Sequence, residues 1–505
     1  MKEQATKLHI GDMKYLTENT LKSPQILMNI FTTIKNEANG CLDKAAVIDG
    51  DRKFSYSKLF DAVNSASAEL KSLGIRPAHR VAFLCGDSID YIVVSLAVLS
   101  LQAVIVPLSA SLSLDELEPV LERIDINFLI FDKSVHSRDD SYRIFNNNFF
   151  EKDFFLYKRK AKEELPTDYY KMNPAFIRFS SGTTGTSKGI LLSHESIVER
   201  TDAADKALKI TSGDIVIWVL SMSFHFVVTI LLFLRRGATI VLCGGSFPES
   251  LFEGLKRQKG TFIYASPFHY HLLTKSDMFA PDLFKNIRLA VSTAMKLPDY
   301  VACDFYKKFG SVIVEAYGII EVGLPFINFS QNTEKRGSVG TILPDYEIKI
   351  ANPDKNGIGE VYIKGKGMFD AYFSPWLRRC DLISDGWFKT GDLGRLDSER
   401  FLYIAGREKN VINFTGMKIF PYEVESVLNQ HPDIKESLVY GTLHPQYGEL
   451  PCAKIVLKDN IKTNFDKDKI RGFCYKHLAQ YKVPKEFHFV SRLDKTASGK
   501  LKRWQ

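Results

Sequence analysis

Cysteine is scarce and unorganised in this sequence. Its seven copies (Cys41, Cys85, Cys243, Cys303, Cys380, Cys452 and Cys474) are odd in number among 505 residues, and no two form a C-x-x-C pair. That disfavours a disulfide framework or a zinc site, and a reducing, cytoplasmic setting is expected. The opening MKEQATKLHIGDMKYLTENT carries charges throughout and lacks the apolar stretch of a secretory signal. No basic arm and no recognised nucleic-acid module accompany the formal charge of +8, so nucleic acid is not an expected partner. Uncharged runs long enough to cross a bilayer occur twice, at Tyr91 to Leu112 and Ile215 to Leu234. Both read as composites. Pro107 follows VIV in the first, which suggests a buried helix and then a strand. The second reads as a strand (IVIWVL), a polar elbow at Ser221 to His225 and an apolar helix. No membrane span is expected.

What is present is an ordinary globular balance, 45% hydrophobic and 25% charged, in a chain too long for one compact core. Short β-rich runs (RVAFLC, AVIVPL, FLIF, TIVLC, TFIYAS) alternate with helical stretches. This alternation predicts an α/β fold with buried, largely parallel strands. The polar segment from about 133 to 175 shows no clear periodicity and reads as a loop-rich connection. Near residue 400 the character changes. A boundary close to Lys409 would divide a large α/β domain (1–408) from a small C-terminal α+β domain (409–505).

The strongest local signal is Phe179-Ser-Ser-Gly-Thr-Thr-Gly-Thr-Ser-Lys-Gly189. Its glycines permit close backbone approach, and its hydroxyls and Lys188 supply donors, so the loop suits the phosphates of a nucleotide. Ser187 stands before Lys188 where a Walker loop needs glycine. Further on come Glu315-Ala-Tyr-Gly-Ile-Ile-Glu321, Trp387-Phe-Lys-Thr-Gly-Asp392, Gly406-Arg407 and Leu493-Asp-Lys-Thr-Ala-Ser-Gly-Lys500.

In this order, from FSYSKL at about residue 54 to Lys500, the set resembles the adenylate-forming superfamily of acyl- and aryl-CoA synthetases, peptide-synthetase adenylation domains and luciferases. The resemblance implies ATP, Mg²⁺ and coenzyme A (or phosphopantetheine) as cofactors. It places Ser181, Gly182, Thr183, Thr184, Gly185 and Lys188 around the phosphates. Ser292, Thr293 and Ala294 would lie along adenine, with Tyr317 and Gly318 stacking there. Asp392 would accept the ribose hydroxyls, Arg407 would contact ribose or phosphate, and Glu321 with Thr184 would hold Mg²⁺. Lys500 would be the catalytic lysine, with the small domain rotating about Lys409 and the segment around Gly416 then serving thioester formation. The elbow Ser223 to Phe226 would line the acid pocket, with His225 as its gate. The elbow has no acidic residue, which disfavours an amino-acid substrate and points to an uncharged fatty or aryl acid.

The sequence departs from the family pattern in four places, one of them Asn413 at a common lysine after the hinge. Ile320 stands at the threonine of the Y-G-x-T-E motif, and losing one charge-assisted hydrogen bond there costs about 1.5–3 kcal/mol, or roughly one to two decades in rate. The usual glycines near Ser292 are missing, and Ser187 replaces a usual proline. The expected activity is activation of a carboxylic acid as its adenylate followed by transfer to coenzyme A. Transfer to the phosphopantetheine arm of an acyl or peptidyl carrier protein, and a non-catalytic descendant that only binds nucleotide or acyl groups, are the alternatives.

Overall fold

Strands that are apolar along their whole length need cover on both faces, and the chain supplies it in layers. The structure is a computed structural model and describes residues 27–110, 112, 114–161, 165–179, 188–415, 417–458, 466–495 and 501–503. Among these, two nine-stranded sheets, a four-stranded sheet and a five-stranded sheet form. One nine-stranded sheet runs, by residue range, 341–342, 323–328, 313–319, 289–292, 262–265, 215–218, 239–242, 45–49, 52–55. The other runs 377–378, 371–372, 189–193, 174–179, 104–108, 80–84, 128–132, 154–158, 142–144.

Strand Arg80–Leu84 shows how the pleat serves two cores. Val81 and Phe83 join the central core shared by both large sheets, while Ala82 and Leu84 face a separate outer core with Leu117 and Leu121. The first sheet does the same: Val216 and Trp218 face the central core, and Ile217 faces an outer core with Leu251, Tyr270 and Phe305. Helix Ile89–Ser100, capped by Ser88 Oγ accepting from the Tyr91 N–H at 3.2 Å, lies within the central core. It is therefore mostly apolar all round, with Asp90 and Ser95 as buried exceptions.

That packing explains the first uncharged run, which is this helix followed by strand Val104–Leu108. The second is strand Ile215–Trp218, helical turns at Met222–His225 and Phe226–Ile230, and helix Leu231–Arg235. The elbow is thus itself a turn of helix. Among the described residues no helix is long and apolar enough to cross a membrane.

The stretch from 133 to 175 is less loop-like than expected. Strands Tyr142–Ile144 and Phe154–Lys158 add an antiparallel edge to the second sheet, and helix Thr167–Lys171 precedes strand Pro174–Phe179. Parallel pairing dominates the first large sheet, but antiparallel pairs make up much of the second.

The four-stranded sheet (346–351, 359–365, 388–396, 402–407) is antiparallel throughout and carries Asp392 and Arg407 opposite one another. After Lys409, strands 412–414, 417–419, 434–444, 448–457 and 486–489 pack with helices Pro421–Leu428 and Lys467–His477. This unit has a core of its own, from Ile412 through Val424, Val439 and Ile455 to Phe487.

Candidate active site

The residues expected at the nucleotide begin with strand Ile313–Ile319, which presents Tyr317 and shifts register at Gly318 against strand Gly323–Asn328. A β-carbon on Gly318 would lie 2.3 Å from the Gly323 carbonyl oxygen, so only glycine permits this approach. The Tyr317 hydroxyl donates to Asp392 Oδ2, and Arg407 Nε donates to Asp392 Oδ1 at 2.7 Å. Arg407 also donates to the Thr390 carbonyl at 3.0 Å, and the Asp392 N–H donates to Thr390 Oγ1 at 3.1 Å. Burial and then the Asp392 charge push the Tyr317 phenol well above its ordinary range. Burial also works against the Arg407 cation, but Asp392 with Tyr317 and Glu321 outweighs it and raises the guanidinium pKa. A tyrosine, a carboxylate and an arginine from three strands thus fix one another without a ligand.

Glu321 follows in the turn between strands 313–319 and 323–328. Its carbonyl accepts from the Phe369 N–H at 2.8 Å, and its carboxylate accepts from the Tyr372 hydroxyl at 3.4 Å. Loss of hydration raises the Glu321 pKa, opposed by Arg407 and Arg178. Lys188 is exposed, with its ammonium 4.5 Å from the centre of the Tyr372 ring, so Lys188 and Glu321 meet on one tyrosine. Ile320 turns its side chain toward the central core, while its carbonyl accepts from buried Arg200 at 3.0 Å.

Ser292 ends strand Leu289–Ser292 with its hydroxyl buried and without a partner among the described residues. Thr293 donates its N–H to the Ala265 carbonyl at 3.0 Å, and Ala294 adopts a φ of 73°. Glycine takes that conformation without strain, which is the physical content of the missing glycines.

The elbow expected to line the acid pocket is held by Asp87, whose two carboxylate oxygens accept from the Met222 N–H at 3.0 and 3.1 Å. The Ser221 and Ser223 hydroxyls lie 2.9 Å apart. His225 meets the edge of Trp218 at 6.5 Å between ring centres, and Trp218 stacks on Tyr264 at 5.9 Å. Sequence reasoning missed Arg178 here. Its side chain leaves the end of strand Pro174–Phe179, donates to the Phe224 carbonyl and lies 5.3 Å from the Phe224 ring. Burial pushes its pKa down to about 10, opposed by Glu321 and Tyr91. The signal was visible, since an arginine stood inside an apolar strand just before the glycine-rich loop.

Ser181, Gly182, Thr183, Thr184, Gly185, Gly416 and Lys500 lie outside the described residues. Their flanks do not. Phe179 and Gly189 face each other across antiparallel strands, so the glycine-rich loop leaves and rejoins one hairpin. Lys495 pairs with Leu501, and the Lys502 N–H donates to the Asp494 carbonyl at 2.8 Å. Arg503 binds both carboxylate oxygens of Glu425 at 2.7 Å each, with both side chains 7% exposed. The backbone on either side of 496–500 is therefore clamped.

Two family models match the chain. Residues 34–373 match the AMP-binding enzyme family, and residues 423–500 match the AMP-binding enzyme C-terminal domain. Among curated relatives, a 2-succinylbenzoate–CoA ligase of Bacillus licheniformis is 29% identical, with 95% of this chain and 99% of the relative covered. An oxalate–CoA ligase of Arabidopsis thaliana is 27% identical, with coverage of 93% and 96%. The mitochondrial medium-chain acyl-CoA ligase ACSF2 of Rattus norvegicus is 26% identical, with coverage of 92% and 86%. Among solved structures, ATP-bound MatB from Rhodopseudomonas palustris superposes with a TM-score of 0.81 at 23% identity, over 94% of this chain and 97% of that one. The o-succinylbenzoate CoA synthetase of Bacillus subtilis with its acyl-adenylate superposes with a TM-score of 0.78 at 25% identity, over the same shares.

Proposed function

The chain belongs to the AMP-binding enzyme family, and from that premise we propose that it joins a fatty or aryl carboxylic acid to coenzyme A through an acyl-adenylate. It is an AMP-forming acid–thiol ligase. The observation that carries this reading is the Tyr317–Asp392–Arg407 cluster, set beside Glu321 and Lys188 in a chain matched to the family along most of its length.

A carboxylic acid is already ionised at neutral pH, so its activation needs charge neutralisation and no general base. In our reading Tyr317 and Gly318 pack on adenine beside Ser292, Thr293 and Ala294. Asp392 is assigned to the ribose hydroxyls, because a carboxylate can accept from two O–H donors at once. Loop residues 181–185 wrap the phosphates, with Lys188 at one side and Lys500 brought in from the C-terminal unit. The carboxylate oxygen attacks the α-phosphorus, the bond to pyrophosphate breaks, and the acyl-adenylate remains. The C-terminal unit then turns about Lys409, at a domain boundary between 408 and 409, so that the thiol attacks the acyl carbon and AMP leaves. His225 gates the acid pocket.

Mg²⁺ fits the donor set on chemical grounds. Glu321 is a carboxylate whose charge is opposed by lost hydration, and Mg²⁺ takes one such carboxylate together with water and phosphate oxygens. Glu321 and Thr184 would hold it, and when bound it neutralises phosphate charge. All seven cysteines are free thiols, which supports a reducing compartment, and we place the protein in the cytoplasm.

The test is acid-dependent formation of AMP and pyrophosphate from ATP, followed by acyl transfer offered to coenzyme A and to a phosphopantetheine-bearing carrier protein in parallel. AMP with acyl-CoA is the expected result. AMP with acyl transfer only to the carrier would reassign the acceptor. Tight nucleotide binding without AMP from any acid would mark a non-catalytic descendant.

A further inference from the structure

The acid side of the cleft holds a cation that the reaction as described does not use. Arg178 sits in a strand whose preceding residues Phe176 and Ile177 are core side chains, and its Nε is buried with no hydrogen-bond partner among the described residues. No carboxylate within ion-pair distance accompanies it among those residues; its one direct polar contact there is the Phe224 carbonyl. Two further groups around the same elbow are also buried and have no hydrogen-bond partner among the described residues: the Tyr91 hydroxyl, whose ring meets Phe226 at 5.7 Å, and Trp218 Nε1, whose ring meets His225 at 6.5 Å. Three unsatisfied groups able to donate therefore adjoin Met222–Phe226, and one carries a full positive charge. Glu321 offsets part of the cost of this dehydrated guanidinium but makes no ion pair with it among the described residues, and a ligand anion in direct contact would offset the rest.

We infer that Arg178 is a specificity-determining residue that binds a second anionic group, a carboxylate, on the acid substrate. This rests on the ligase reading above and narrows it from an uncharged fatty or aryl acid to one bearing a further carboxylate away from the reacting one. The location supports it. Arg178 bonds the elbow that lines the proposed acid pocket and makes no contact with Tyr317, Asp392 or Arg407 among the described residues, although the charge of Glu321 reaches it. A plain alkyl tail would leave Arg178 unpaired, and a substrate ammonium would be repelled by it. A second carboxylate supplies the acceptors that the elbow lacks.

Pyrophosphate release measured with succinate, glutarate, adipate and phthalate, against butyrate, pentanoate, hexanoate and benzoate, tests this directly. The native protein should favour each diacid over its matched monoacid by at least about tenfold in kcat/KM. In Arg178→Met that ratio should collapse by about 10- to 100-fold, with Arg178→Lys keeping part of it and KM for ATP unmoved. Monoacids used as well as diacids by the native protein would overturn the inference, even if the Met variant fails to fold. So would a rise in KM for ATP in Arg178→Met, which would move the residue to the phosphates. Failure of every acid to yield AMP would instead strike the ligase reading.

Discussion

The two sides of the cleft differ in how their charges are settled. On the nucleotide side, Asp392 divides its oxygens between Tyr317 and Arg407, and the three hold their geometry through contacts with one another. On the proposed acid side, Arg178 lies against a carbonyl and an aromatic ring, makes no ion pair among the described residues and feels Glu321 only at longer range. In the proposed reading the first is set for the nucleotide before it binds, and the second is completed by the acid. A site whose charges are already paired needs little rearrangement when ligand arrives, whereas an unpaired buried charge discriminates sharply against ligands that leave it so.

The segment after Lys500 is where the largest loss of stability is expected. Arg503→Met leaves Glu425 buried without its partner and should cost about 3–5 kcal/mol of stability in the C-terminal unit, read by chemical denaturation. If the clamp positions Lys500, acid-dependent pyrophosphate release should fall further than thioester formation from supplied acyl-adenylate. Equal losses in the two half-reactions would reduce the clamp to a purely structural role.

Glu315 sharpens the contrast, since it is an unpaired charge on the otherwise settled nucleotide side. Burial raises its carboxyl to about 7 from an ordinary 4.5, against one backbone N–H from Leu297 at 3.2 Å. In the unfolded chain the group ionises first, so its stability contribution is intact below about pH 4.5 and is lost as pH rises to about 7. The loss is at most about 3 kcal/mol. Glu315→Gln should flatten the fall in melting temperature across that window; a variant with the native pH profile would acquit the residue.

Asp392→Asn removes the charge that holds Arg407 and is assigned to ribose. Charge-assisted hydrogen bonds are worth about 1.5–3 kcal/mol each, so KM for ATP should rise about 10- to 100-fold while KM for the acid changes little. A shift confined to the acid would reverse the assignment of the two sides.

The smallest expected effect is a gain. Ile320→Thr restores a hydroxyl next to Glu321, and the adenylation rate should rise by up to about tenfold. No rise would mean that other donors already serve the α-phosphate.

Much of this was legible in the sequence where the signal is local. The runs RVAFLC, AVIVPL, FLIF, TIVLC and TFIYAS are strands because side chains on both faces are buried, which makes them apolar without a break. Strands Tyr142–Ile144 and Phe154–Lys158 were missed because they pair at a sheet edge, where exposed positions dilute the pattern. The bond from Tyr317 to Asp392 spans 75 residues and depends on how a four-stranded antiparallel sheet sets beside a mostly parallel one. No spacing rule carries that. Arg178 was readable as an anomaly, but its meaning required knowing that the elbow at Phe224 faces it.

The central claim is that a cation from the C-terminal unit joins those of the large domain at a single phosphorus atom. Acid-dependent ATP–pyrophosphate exchange in Lys500→Ala tests it most directly. Exchange should drop about 10²- to 10³-fold with ATP binding retained; exchange at the native rate would contradict the account.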